Sequence, residues 1–353
     1  MIALPDRPLH RRALLASARD LLLNVVGRLF FHAQLSRALS DAARPLLILH
    51  PQTLGFRLTT EIVERRRAPA ALYLLDSSFF CIRSYNHIPG EAGPCLRCIG
   101  GDFAQASQNG CLPYPKPDPY ATTYVQRLRK YVTEGRLVLI AQASRQAELA
   151  FQHFKLRSMP AVVGLWTADW DSILVDHDRA PATSGGWDVV FHGFNLAPKG
   201  ADWLEELAAR MPTRRFLFPY PPPRKRRSAN CEYRPMTWES GLDAAMRSST
   251  ITVVPSLWSA PIEGALVKSI AVAGAAAVVE NRSAYADELP NGLVLRLPKD
   301  AGAAAAVLEE ALRSGWQPDA DVKRAWLDEL RLLRENFLNR LIASVPGTSA
   351  RLN

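Results

Sequence analysis

From residue 45 onward the chain repeats one unit: a short apolar run of strand length, then a stretch of helical periodicity. "PLLILH" (45–50), "AALYLL" (70–75), "RLVLIA" (136–141) and "AVVGLW" (161–166) are bounded by chain breakers. "RLTTEIVERRR" and "SRQAELAFQHF" lie between or after them at helical spacing. Strands that read as continuous apolar runs are buried on both faces, and their alternation with helices builds parallel α/β layers. The rhythm stops at 168–187, "ADWDSILVDHDRAPATSGGW", where periodicity gives way to Asp, Pro, Ser and Gly. It restarts with "DVVFHGF", "RRFLFPY", "ITVVPS", "AAAVVEN" and "GLVLRLP" as strands and "GADWLEELAARM", "SGLDAAMRSS", "EGALVKSIAVAG" and "AGAAAAVLEEALRSG" as helices. The length of 353 residues suits two domains of about 150 each, and 48% apolar residues suffice for their cores. The first domain is read as residues 45–172, the linker as 173–185 and the second domain as 186–315. Residues 320–344 read as one long closing helix within a 316–353 tail.

The net charge of +9 favours anionic partners without choosing among phosphates, nucleotides, acidic lipids and nucleic acid. No nucleic-acid motif is present, and the charge is spread along the chain, so nucleic acid is not an expected partner. Within 1–44, Leu14, Leu15, Ala18, Leu21, Leu22, Val25, Leu29 and Phe30 recur at helical spacing, with Arg11, Arg12, Arg19 and Arg28 among the basic residues. Such a helix either lies on an anionic membrane surface or packs on its own domain. The run "RKRR" (224–227) likewise suits acidic lipid or a solvated loop. No apolar run approaches the ~20 residues of a membrane-spanning helix, and the first residues lack a signal-peptide layout. The expected location is cytoplasmic, with a peripheral position at the inner membrane face as its variant.

Four of the five cysteines, Cys81, Cys95, Cys98 and Cys111, fall in one Gly- and Pro-rich segment, 81–120. Cys95 and Cys98 form a Cys-x-x-Cys pair, the usual bite of a thiolate zinc site. A structural zinc ion would fix an irregular segment of this length. An iron–sulfur cluster, a redox pair and buried thiols are the other readings.

The stretch "VVPSLWSAPIEGALVKSIAVAGAAAVVEN" (253–281) holds the strongest site signal. A strand ends at Ser256, a helix starts near Glu263 and Gly264, Gly274 ends it, and a second strand follows. A helix N-terminus suits a phosphate, and Gly264 admits a ligand to the backbone. On these grounds alone the segment is either a nucleotide site or an ordinary crossover.

The same segment resembles the donor-binding turn of the group 1 glycosyltransferases of GT-B fold, of which the chain looks like a divergent, family-4-like member. Pro255, Ser256, Gly264, Ala271, Gly274, Val278 and Val279 fit that pattern in order. "DVVFHGFNLAPKGADWLEEL" upstream and "YADELPNGLVLRLPKDAGAAAAVLEEAL" downstream extend the likeness over roughly residues 186–315. "RLVLIAQASRQAELAFQHF" resembles the family's last first-domain strand and helix more weakly. The resemblance implies two Rossmann-like domains facing a cleft, with the cysteine-rich segment as an insert in the first. It also implies a closing helix that packs back on the first domain. The activity it implies is transfer of a sugar from a nucleotide-sugar to an acceptor hydroxyl, with no catalytic metal.

Carried over by position, the resemblance implies that Lys199 contacts the donor diphosphate. Gly193, Asn195, Ser256, Gly264, Ser269 and Glu288 then line the donor site. The family's Arg five positions before the lysine is Phe194 here, and its paired acids fall on Pro261 and Ser269. Glu263 and Lys268, two residues and one residue from those places, are the candidates for replacement work: sugar hydroxyls for Glu263, a phosphate for Lys268. Asp76, with His87 and Asp102 as rivals, is the candidate general base from the first domain, each having a structural reading beside it. The expected acceptor is a glycan or lipid-linked glycan of bacterial surface polysaccharide or glycolipid synthesis. A non-catalytic GT-B scaffold is the alternative from another class, and a metal-dependent redox protein the third.

Overall fold

The three-dimensional structure is a computed structural model that describes residues 44–167, 186–223 and 228–348, with Ala33 and Ser36 besides. The basic segment 1–44 (those two positions and Arg44 apart), the linker 173–185 and the run 224–227 therefore lie outside the described residues. Among the described residues ten strands form two sheets, and every ladder in both is parallel.

The first sheet runs β1 (Leu47–Ile48), β2 (Ala70–Tyr73), β3 (Leu137–Ala141), β4 (Ala161–Val162) in simple chain order. Crossovers of one hand along such an order put the connecting helices on one face. Accordingly α1 (Phe56–Arg65), α2 (Ala121–Thr133) and α3 (Ser144–Phe154) share one apolar cluster with Leu72, Leu74, Leu137 and Leu139. The opposite face, Ala71, Tyr73, Ile140 and Val163, is covered from the far end of the chain.

The second sheet contains β5 (Trp187–Phe191), β6 (Phe216–Phe218), β7 (Cys231–Tyr233), β8 (Ser249–Val254), β9 (Ala276–Val279) and β10 (Leu295–Leu297). Its spatial order is β10-β9-β8-β5-β6-β7, the order of a doubly wound nucleotide-binding sheet. The order reverses between β5 and β8, so helices fall on both faces. α4 (Ala201–Ala209) and α6 (Ala301–Ser314) pack on one, and α5 (Gly264–Val272) and α7 (Ala320–Glu335) on the other.

The chain end differs from the single helix expected over 320–344. It breaks at Asn336, whose Nδ2 donates to Leu332 O (2.8 Å), and continues as α8 (Phe337–Ser344). Trp326, Leu327 and Leu330 of α7 pack on the second sheet, while Phe337 and Leu341 of α8 cover the bare face of the first. Cys231, read as core or loop, is buried in β7 beside Phe216. Among the described residues no helix is long and apolar enough to cross a membrane.

Candidate functional site

In an open α/β sheet the crevice lies at the carboxyl ends of the strands, where the strand order reverses. Here that point is flanked by the loop after β5 and the loop after β8. A cleft of about 600 Å³ opens there, bordered also by Leu75, Tyr85 and Thr167 from the first half of the chain.

Two turns build its floor. After β5 the chain makes a short 3-10 turn over Ala197–Lys199 and then Gly200, at φ +74°. A Cβ on Gly200 would stand 2.0 Å from Pro255 O, so only glycine lets this turn lie on the end of β8. Leu257 N donates to Pro198 O (2.9 Å) and joins the two turns again. This contact sets Lys199 beside the Pro-Ser loop.

The Lys199 ammonium pairs with the Glu263 carboxylate, and both side chains are largely withdrawn from water. Its Nζ lies 4.9 Å from the centroid of the Trp258 ring and 5.4 Å from that of Tyr85. Aromatic faces attract a cation, so the lysine is held by a carboxylate and two rings. Glu263 occupies the N-cap position of α5 but its side chain makes no capping hydrogen bond, being engaged by Lys199 instead. A Cβ on Gly264 would meet nothing within 4 Å, so the start of α5 faces open space.

Lys268, one turn into α5, lies 4.7 Å from the centroid of the Trp238 ring, and that ring stacks on His192. His192 Nδ1 is 2.9 Å from Ser269 Oγ, and that hydroxyl donates to Ala265 O (2.8 Å). A serine has one proton to give, so the histidine Nδ1 is the donor in their bond. Burial, and then the nearby Lys268 charge, lowers the His192 pKa to about 3, so the ring is neutral.

Of the positions expected to bind donor, Gly193, Asn195, Lys199, Ser256 and Gly264 border the cleft, with Glu263 and Lys268. Ser256 Oγ is buried with no partner among the described residues, and so is Trp258 Nε1. Phe194, which stands where the family has arginine, is an exposed apolar wall residue.

Two expected positions are placed elsewhere. Ser269 is wholly buried beneath α5. Its hydroxyl is engaged by His192 and Ala265, because a residue on this face of the helix points into the sheet. Glu288 accepts from Ser144 N (3.1 Å) and Arg145 N (2.6 Å), capping α3 of the first domain, while Asp287 pairs with Arg145 at 2.8 Å. Glu288 thus joins the two domains rather than lining the cleft.

Asp76, three residues past the end of β2, is buried and accepts from Ser78 N (2.7 Å). Burial holds its carboxyl above the usual range. His192, Tyr85, Trp238 and Trp258 were not singled out by the sequence. Their only signal was aromatic or imidazole character in the segments that follow strands.

Cys81, Cys95, Cys98 and Cys111 are free thiols bordering one small cavity. Burial is the main cause that raises the pKa of Cys81, Cys98 and Cys111. Among the described residues no group of three or more His, Cys, Asp or Glu stands ready to hold a metal ion.

The sequence matches no protein-family model, and no curated protein matches it at a significant level. Solved structures do resemble it. A sucrose-phosphate synthase from Thermosynechococcus elongatus is 13% identical, with 97% of this chain and 82% of that chain covered and a TM-score of 0.57. HepE from Anabaena, solved with UDP, is 11% identical over 87% of this chain and 81% of that chain, with a TM-score of 0.56. HepE was also solved with UDP and glucose, and that structure matches with the same TM-score of 0.56. At such identities the likeness concerns the fold, and the fold is GT-B: two Rossmann-like domains facing a cleft.

Proposed function

We propose that the protein is a glycosyltransferase, moving a hexosyl group from a nucleotide-sugar to an acceptor hydroxyl. The observation that carries this reading is the convergence of Lys199, Lys268 and the uncapped start of α5 on one cleft at the strand-order reversal. In the reaction the acceptor oxygen bonds to the anomeric carbon as the bond from that carbon to the diphosphate oxygen breaks. The electron pair leaves on the diphosphate, where Lys199 and the α5 N–H groups offset the charge. The diphosphate competes with Glu263 for Lys199 and frees that carboxylate for sugar hydroxyls. Asp76 is the candidate to take the acceptor proton. Its support is position: neighbouring Leu75 borders the cleft.

The acceptor in this reading is a glycan or lipid-linked glycan of surface polysaccharide or glycolipid synthesis, met at an anionic membrane face. Its support is the +9 charge and the basic segment 1–44. A structural zinc ion on the four thiols belongs to the same reading, supported by their sharing one cavity. An ion would have to draw them into coordination, and metal analysis finding no zinc in protein purified without chelator would remove it. A non-catalytic scaffold is favoured by one observation, the replacement of the family's acids by Pro261 and Ser269.

Titration with UDP and UDP-sugars tests the main reading. Wild type should gain thermal stability with ligand concentration as linkage requires. Lys199→Ala should bind at least about tenfold more weakly, or about 1.4 kcal/mol. Slow donor hydrolysis by wild type separates enzyme from scaffold. Absence of any nucleotide binding would end the transferase reading.

A further inference from the structure

We propose that Asn86 is a positioning residue for the donor cleft, the point at which the cysteine-bearing segment of the first domain grips the 256–263 loop of the second. The inference rests on the donor reading above.

Asn86 is wholly buried, yet all its side-chain hydrogen-bonding positions are filled. Oδ1 accepts from Ser259 N (3.0 Å) and from Ser77 Oγ (2.9 Å). Nδ2 donates to Ser259 Oγ (2.9 Å) and to Cys95 O (3.0 Å). Because Ser259 N only donates and Cys95 O only accepts, the amide has one workable orientation. Two of the four bonds stay in the first domain and two cross to the second. An aspartate has the shape but turns an oxygen towards Cys95 O, so only the amide serves both sides.

The grip extends beyond Ser259. Its Oγ lies 2.7 Å from Ser283 Oγ, and Ser283 Oγ donates to Asn281 Oδ1 (2.9 Å). Asn281 Nδ2 donates to Trp258 O (2.8 Å), and Tyr285 N donates to Ala260 O (2.8 Å). The backbone is therefore fixed on both sides of Ser259. The Trp258 ring is held 4.6 Å from Tyr85, the residue just before Asn86, and both rings face Lys199. The same loop carries Ser256, Pro261, Ile262 and Glu263 to the cleft wall. One amide thus sets the aromatic wall around the diphosphate lysine, although it lies outside the cleft. Its loss leaves Ser259 N buried and unpaired, and the loop must move to find a partner.

The test is UDP affinity by isothermal titration of the full chain, with KM and kcat for donor hydrolysis alongside. Asn86→Ala should weaken UDP binding about tenfold or more, raising KM more than it lowers kcat, since a lost buried partner is worth a factor of this order. Ser259→Ala removes only one hydroxyl and should weaken binding about threefold, a milder variant should Asn86→Ala fail to fold. The double variant should bind within about twofold of Asn86→Ala alone, because residues that act through one contact are not additive. Full additivity, or single variants that bind like wild type, would overturn the inference and leave the donor reading intact. Wild-type protein that binds no nucleotide would overturn both.

Discussion

His192 shows what a single side chain contributes at this site. It lies at the carboxyl end of β5, stacked on Trp238 and bonded to Ser269, in a position where a charged ring is disfavoured. Burial first and Lys268 second depress its pKa from 6.5 to about 3. In the unfolded chain the ring takes a proton near pH 6.5, and in the folded protein it does not until about pH 3. Stability from this group is therefore full above pH 6.5 and falls as the pH drops through that window. His153, lowered to about 4 by burial, adds to the same acid limb. A His192→Gln variant should show a shallower fall in urea midpoint between pH 6.5 and 4 than wild type, and an equally steep fall would show that His192 does not titrate on unfolding. Lys199 makes the complementary point: its charge is already balanced by Glu263, and an anionic ligand must exchange one partner for another.

At the scale of elements, two glycines in neighbouring turns have opposite reasons to be glycine. Gly200 is fixed by the fold, with φ +74° and the Pro255 carbonyl at the place of a Cβ. Gly264 opens α5 and has no neighbour within 4 Å of that place. Gly200→Ala should therefore destabilise by more than about 3 kcal/mol, since the backbone of two turns would have to separate. Gly264→Ala should change stability by no more than about 0.5 kcal/mol but weaken nucleotide binding, because its methyl projects into the cleft. Chemical denaturation and UDP titration on the two variants check this; a stable Gly200→Ala protein would mean the turns are not locked together. The pattern of the Lys-Gly pair and the Gly that opens α5 was legible in the sequence, but the two reasons were not. They depend on which backbone lies opposite, a contact between residues 55 positions apart in the chain.

The whole molecule is closed by its chain end. The first sheet keeps simple strand order, so its own helices cover one face, and α8 must cover the other. The Phe337 ring meets Tyr73 edge-on at 6.2 Å, and Arg340 donates to Val162 O (2.6 Å). Phe337→Ala should cost about 3–5 kcal/mol as a buried aromatic truncation. Hydrogen exchange should quicken at Ala71, Tyr73 and Ile140 and stay slow in β8 and β9. Uniform quickening across both sheets would indicate that the two domains unfold as one unit.

The sequence by itself determined the α/β class, because strand-length apolar runs and helical periodicity are local properties that each segment carries alone. It also marked the stretch around Gly264 as strand, turn and helix start. It could not separate Ser269 from the cleft, since a shift of one position around a helix turns a side chain from solvent to core. Nor could it put Glu288 on the start of α3, or bring Tyr85 and Asn86 to Trp258 and Ser259. Those contacts join residues far apart in the chain, and only the packing of the two sheets decides which side chains meet across the seam.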